Sequence, residues 1–288
     1  MLRLFALLLM FLPISLWAQD DLLDELESEI PVTNEPVTSV FKGIKIINFE
    51  STKLIGKDQL YFVIAHRFGT LKDGIDNFIG LDEASVRIQF IYAPTTWLNM
   101  SISRSGFNKT YDGAIKYRLL RQEKNGFPFS LVGYNLLAIN TELDQDLFPE
   151  LTFSDRLGYT TQFLLSRKFN DWLSLQFAPT YFHDNAVVED GQDNSQFVFG
   201  FAGRFKFTKR IALVADYGLH LNRVANSAFN NALAVGVEIE TGGHVFQIHA
   251  SNSQAIFENG FLGQARGDFT DGNIFLGFNI SRAFSLKK

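Results

Sequence analysis

Cysteine is absent from the 288 residues, which excludes a disulfide framework and a thiolate metal site. Long apolar runs are almost as scarce. Beyond residue 17 no window approaches the roughly 18 apolar residues that a transmembrane helix needs. Positive charge is in deficit, with 26 Lys and Arg against 31 Asp and Glu, and this balance argues against a nucleic-acid partner. Signature motifs of catalysis are missing as well, since neither GxSxG nor HExxH occurs. The five histidines, His66, His183, His220, His244 and His249, are scattered, and read as loop, interface and lumen-filling residues. No metal, no cofactor and no catalytic residue is expected. Asp190-Gly191-Gln192-Asp193-Asn194 has a faint calcium-loop look without the spacing, and reads as a polar loop.

What is present is phenylalanine, 30 residues of it, in a chain whose mean hydropathy is only +0.03. Apolar residues must therefore be spread out. Residues 1–18 read as a signal peptide, with Arg3 before the apolar stretch Leu4 to Trp17 and Ala18 at the cleavage point. Residues 19–56 read as a periplasmic acidic tether that ends in a candidate plug segment. That segment, residues 41–50 (FKGIKIINFE), either occupies a lumen or stays in the periplasm. Residues 57–288 carry the regular pattern.

There, apolar and polar residues alternate with period two, the mark of half-buried strands. Val86, Ile88, Phe90 and Tyr92 oppose Arg87 and Gln89. Tyr111, Gly113, Ile115, Tyr117 and Leu119 oppose Asp112, Lys116 and Arg118. Ile211, Leu213, Ala215, Tyr217 and Leu219 oppose Asp216 and His220. Twelve such segments follow one another. Most are long enough, at about 9–13 residues, for a tilted strand to cross a bilayer. Long connections alternate with short turns such as 94–96, 208–210 and 241–243. A soluble sandwich also alternates, but its strands usually run about 5–6 residues, and nothing would make its two ends differ. The expectation is an all-β, transmembrane, antiparallel up-and-down barrel of about 12 strands, exported to the outer membrane and solvated by outer-membrane lipid.

The polar face supplies the candidate site. Arg67, Arg87, Lys116 and Arg118 lie on early strands, and Asp216 and Glu238 on late ones. As lumen-lining residues they either set opposed charged walls across an open pore or pair with neighbours and fill the interior. Twelve strands about 4.8 Å apart, tilted about 40°, give a backbone diameter of roughly 24 Å. Side chains remove roughly 10 Å or more of that, leaving room for a small solute.

Residues 41–120 are similar to a family of uncharacterised Bacteroidetes outer-membrane β-barrel proteins, a domain of unknown function. The matching stretches are Phe41-Lys42-Gly43 with Ile46-Ile47-Asn48, His66-Arg67-Phe68-Gly69 and Gly80-Leu81-Asp82. Arg104-Ser105 follows, then Lys109-Thr110-Tyr111-Asp112-Gly113 with Lys116-Tyr117. The resemblance implies a barrel and brings no agreed activity. Asp82, Arg104, Lys109 and Asp112 are the candidates for ordering the first long loops. Asp82, with Arg67, Arg87 and Lys116 at or near the inner wall, would form a charge network that folds the first loop over the mouth. The functional expectation is a non-enzymatic, narrow channel for a small polar solute. The alternatives are a closed barrel that docks a periplasmic protein through its acidic tether or acts through its loops, and a barrel enzyme.

Overall fold

The computed structural model describes residues 34–38, 40–144, 146 and 149–285. The signal-peptide reading and most of the acidic tether lie outside the described residues. Twelve antiparallel strands close into one barrel, each paired with its sequence neighbours and β12 returning to β1. They are β1 (Gln59–Thr70), β2 (Ala84–Tyr92), β3 (Leu98–Ser105), β4 (Tyr111–Leu120), β5 (Ser130–Ile139) and β6 (Leu157–Lys168), then β7 (Leu173–Asp184), β8 (Ser195–Lys206), β9 (Ile211–His220), β10 (Ala232–Thr241), β11 (His244–Ser251) and β12 (Phe275–Ser285). Closure matters because it pairs every strand edge, the condition for placing a sheet in hydrocarbon.

The period-two pattern has the consequence expected of it. Phe197, Phe199, Phe201 and Phe205 of β8, and Leu213 and Leu219 of β9, point outward and are exposed. Between them, Gln196, Val198, Arg204, Ala212, Val214 and Asp216 point inward and are buried. Long connections such as 140–156, 221–231 and 252–274 gather at one end of the barrel, and short turns such as 207–210 and 242–243 at the other.

Two segments fill the interior. From the short-turn end, residues 40–56 run up inside the barrel as a plug. Its core is a tight hairpin: Lys45 bridges Glu50, Ile46 N donates to Phe49 O, and Ser51 N donates to Ile44 O. From the long-loop end, the 252–274 connection dips in and carries a short helix, α1 (Glu258–Gly263). The two meet where Phe49 packs edge-on against Phe261, with ring centroids 5.1 Å apart.

Small inward residues make the room. Ala178, Val198 and Ala232 leave space in the cluster that holds Phe49 and Phe261, which the larger Leu164 and Phe182 complete, while Val214 and Ala234 receive Phe41, Ile46 and Ile47. Gly200 of β8 is the clearest case. A Cβ there would sit 2.5 Å from the Phe49 ring, so only glycine leaves the notch that the ring occupies.

Candidate functional site

The polar inner wall meets the plug through charge. At the tip of the plug hairpin, three successive backbone N–H groups converge on one carboxylate. Ile47 N, Asn48 N and Phe49 N donate to Asp216 Oδ2 at 3.1, 2.7 and 3.3 Å. Asn48 Nδ2 donates to the other oxygen at 3.1 Å. Consecutive N–H groups that converge in this way form a nest for an anion, and the anion here is a wall residue. Asn48 Oδ1 in turn accepts from Arg67 at 2.9 Å.

Below the tip, Glu50 sits between two ammonium groups. Lys116 Nζ of β4 approaches its Oε2 at 2.6 Å, and Lys45 Nζ its Oε1 at 2.9 Å. Lys45 also pairs with Glu258 of α1 at 3.2 Å, which ties the plug to the long-loop segment. Backbone carbonyls of the plug are taken by wall amides. Gln247 Nε2 donates to Ile46 O at 2.7 Å, Gln176 Nε2 to Glu50 O at 2.8 Å, and Asn279 Nδ2 to Ile47 O at 3.2 Å. Such pairing is what a buried polar segment requires to offset its desolvation.

Two further ion pairs join wall to wall. Arg87 Nη2 of β2 meets Asp112 Oδ1 of β4 at 2.7 Å, and Arg204 Nε of β8 meets Glu238 Oε1 of β10 at 2.7 Å. These pairs overturn the picture of opposed charged walls. Arg87 is neutralised on its own side of the ring, Glu238 is neutralised on the other, and Lys116 and Asp216 are satisfied by the plug. Asp216, Glu238, Arg67, Arg87 and Lys116 do all face inward and are almost fully buried. Arg118 faces inward too, but only at the rim, half-buried, with Nη1 donating to Thr96 O.

The expected loop-ordering network does not form. Asp112 belongs to the inner wall, held by Arg87 and by the Ser103 hydroxyl. Arg104 points outward and lies over the Tyr111 ring. Lys109 is exposed and is engaged through its backbone, its N donating to Gly106 O and its carbonyl accepting from Thr141 Oγ1. Asp82 is exposed and makes no side-chain bond among the described residues. The first loop, residues 71–83, stays outside the mouth, with Ile75, Phe78 and Ile79 exposed. The segment that folds inward is the last one, and Arg87 reaches it through Ile256 O. Alternation cannot show this, because a loop has no period.

Lys45, Asn48, Glu50 and Glu258 are the functional residues that sequence reasoning missed. The stretch 41–50 carried one usable signal, the polar residues Lys45, Asn48 and Glu50 set among Ile44, Ile46, Ile47 and Phe49. At the short-turn rim the chain is held by a pairing of Pro36 with Glu123 and by Lys124, 2.7 Å from Glu35. The hydrogen bond from Lys124, together with its charge, keeps the Glu35 carboxyl below its ordinary value. Among the described residues no group of His, Asp or Glu is arranged to hold a metal ion.

The family model for a membrane bound beta barrel domain (DUF5777) matches residues 41–284, plug included. The chain belongs to this family. No curated protein matches the sequence. Among solved structures it is similar to the NanC porin, with 10% identity, a TM-score of 0.50 and coverage of 79% of this chain and 100% of the porin. Further likenesses are the KdgM porin (7% identity, TM-score 0.47, 78% and 99% covered) and the COG4313 outer membrane channel from Pseudomonas putida F1 (15%, 0.46, 81% and 97%). At 10% identity the NanC likeness shows the fold alone, a closed β-barrel; the family is what makes the barrel membrane bound.

Proposed function

We propose that this barrel is a narrow channel of the outer membrane for small polar solutes, closed by residues 40–56 acting as a plug. The observation that carries the reading is the nature of the contact between plug and wall. The plug's backbone is held by wall carboxylate and amide groups, Asp216, Gln176, Gln247 and Asn279, which would serve a hydrated solute equally well once the plug is withdrawn. The plug enters from the short-turn end, which in outer-membrane barrels is periplasmic. On this reading the acidic tether, exported after removal of residues 1–18, is the handle a periplasmic protein would grip. Catalysis takes no part: solute passage needs only polar groups that replace water along the path.

A second reading is a permanently closed barrel that acts through its loops or tether. The seating of Phe49 in the Gly200 notch and against Phe261 favours it, because an apolar anchor resists withdrawal. Single-channel recording in planar bilayers separates the two. The channel reading expects rare openings from the full chain and steady conductance after deletion of residues 34–56. A folded barrel silent in both forms overturns it.

A further inference from the structure

Among the described residues, every cation deep in this barrel has a partner. Arg87 has Asp112, Lys116 has Glu50, Lys45 has Glu50 and Glu258, Arg204 has Glu238, and Arg67 has the Asn48 carbonyl. One pair of cations breaks this rule. Arg118, inward-facing at the short-turn rim of β4, spends one donor on Thr96 O, and the charged group acting on it is Arg121, a like charge. Arg121 makes no bond or ion pair among the described residues. Both line a cleft of about 150 Å³ between the plug and the wall, bounded by Val40, Thr52 and Leu54 of the plug and by Val37 just ahead of it. Lys53 also lines it, although its amine is turned to Lys42 O and the Tyr61 ring. Ser130 completes the wall side. Its Oγ accepts from Gln122 N, so its hydroxyl proton remains to be donated.

We propose that this cleft binds a small oxyanion, a carboxylate or phosphate group. Two guanidinium groups with no carboxylate beside them repel each other, and an anion placed between them relieves that repulsion. Planar forks of N–H donors match the oxygens of a carboxylate or phosphate. The volume admits such a group, since about 10–15 Å³ of space open to water centres already holds one water. The oxyanion can come from a solute or from a phospholipid headgroup. The position favours the solute, because plug residues form one side of the cleft and none of the lipid-facing residues of the barrel lines it. The inference rests on the channel reading for its meaning: it makes the transported class anionic. The cleft lies where the plug leaves the wall, so an anion there touches both.

The test is calorimetric titration of the purified full chain, in nonionic detergent at fixed chloride, with inorganic phosphate and with oxalate. Saturable one-site binding is expected. Arg118→Gln and Arg121→Gln should each weaken it about ten-fold, the loss of one charge-assisted contact, while Lys209→Gln on an exposed turn leaves it unchanged. Heat-modifiable migration in gels confirms that each variant is folded, and Arg118→Lys should retain part of the affinity. In a second arm, vesicles of phosphatidylglycerol replace the free anions, and retained lipid is read by native mass spectrometry. Lipid retention that depends on Arg118 without free-anion binding assigns the site to a headgroup. If neither probe binds, or if binding survives both arginine substitutions, the inference is overturned. Binding is measured on the closed protein. A silent barrel that binds oxalate would thus defeat the channel reading alone, and a conducting barrel that binds nothing would defeat the oxyanion site alone.

Discussion

Asp216 on β9 and Asn48 in the plug hold each other at two points: the Asn48 backbone and side-chain amides each donate to one oxygen of the Asp216 carboxylate, at 2.7 and 3.1 Å. The strand fixes the acid and the hairpin turn fixes the donors, so a single residue on each side sets the depth at which the plug stops.

Replacing Asp216 by Ala should therefore free the plug before it unfolds the barrel. Three plug N–H groups would lose a charged acceptor, at a cost of about 3 kcal/mol. Limited proteolysis should cut near residues 46–49 in the variant and not in the parent chain. Equal resistance in both would show that the nest does not hold the plug.

Glu50 and Lys116 lend themselves to a double-mutant cycle. Lys116→Met leaves Glu50 with only Lys45, and Glu50→Gln leaves Lys116 buried without an acid. Each single change should destabilise by about 3 kcal/mol. The double change should cost clearly less than the sum, because the uncompensated charge is gone. Thermal unfolding in detergent measures all four corners, and strict additivity would contradict the pairing.

Gly200→Val should be poorly tolerated, since the new side chain takes the space of the Phe49 ring. Overpacking of this kind costs about 1–3 kcal/mol. Adding Phe49→Ala should recover part of that loss by emptying the notch. If Phe49→Ala only makes matters worse, the ring does not sit against β8.

On the outer face, Leu213→Arg should destabilise folding into lipid bilayers by roughly 2–4 kcal/mol near mid-membrane. Arg at Thr208, in a short turn, should have little effect. Denaturant titration in vesicles reads both. Lysine at Gln176, which alternation alone would tolerate, should now be harmful, because Gln176 holds the Glu50 carbonyl.

Deleting residues 34–56 should leave a lumen without marked charge preference. Arg87–Asp112 and Arg204–Glu238 remain paired across the wall. Lys116 loses Glu50, and Arg67 and Asp216 lose Asn48. Glu258 loses Lys45, and Glu240 loses Lys42. With Arg118 at the rim, three unpaired cations then face three unpaired acids. Reversal potentials should stay near zero even at 0.1 M salt, where a Debye length of about 10 Å leaves the lumen charges weakly screened. A strong preference of either sign in the deleted form would refute this charge count.

The barrel was legible in the sequence because its signal is repetitive. Period-two alternation over twelve segments, with Leu213 and Asp216 on opposite faces, is set locally by the pleat of a strand and needs no tertiary knowledge. Closure follows, since an open edge in lipid leaves backbone groups unpaired. The inward direction of Arg67, Arg87, Lys116 and Glu238 was readable for the same reason. Their partners were not. Arg87 meets Asp112 through strand register, Lys116 meets Glu50 across 66 positions of chain, and Lys45 meets Glu258 across 213. No local spacing encodes contacts between a hairpin, a wall and a distant loop. Alternation told which way each charge points; only the packing of residues 40–56 and 252–274 inside the ring decided which opposite charge it finds there.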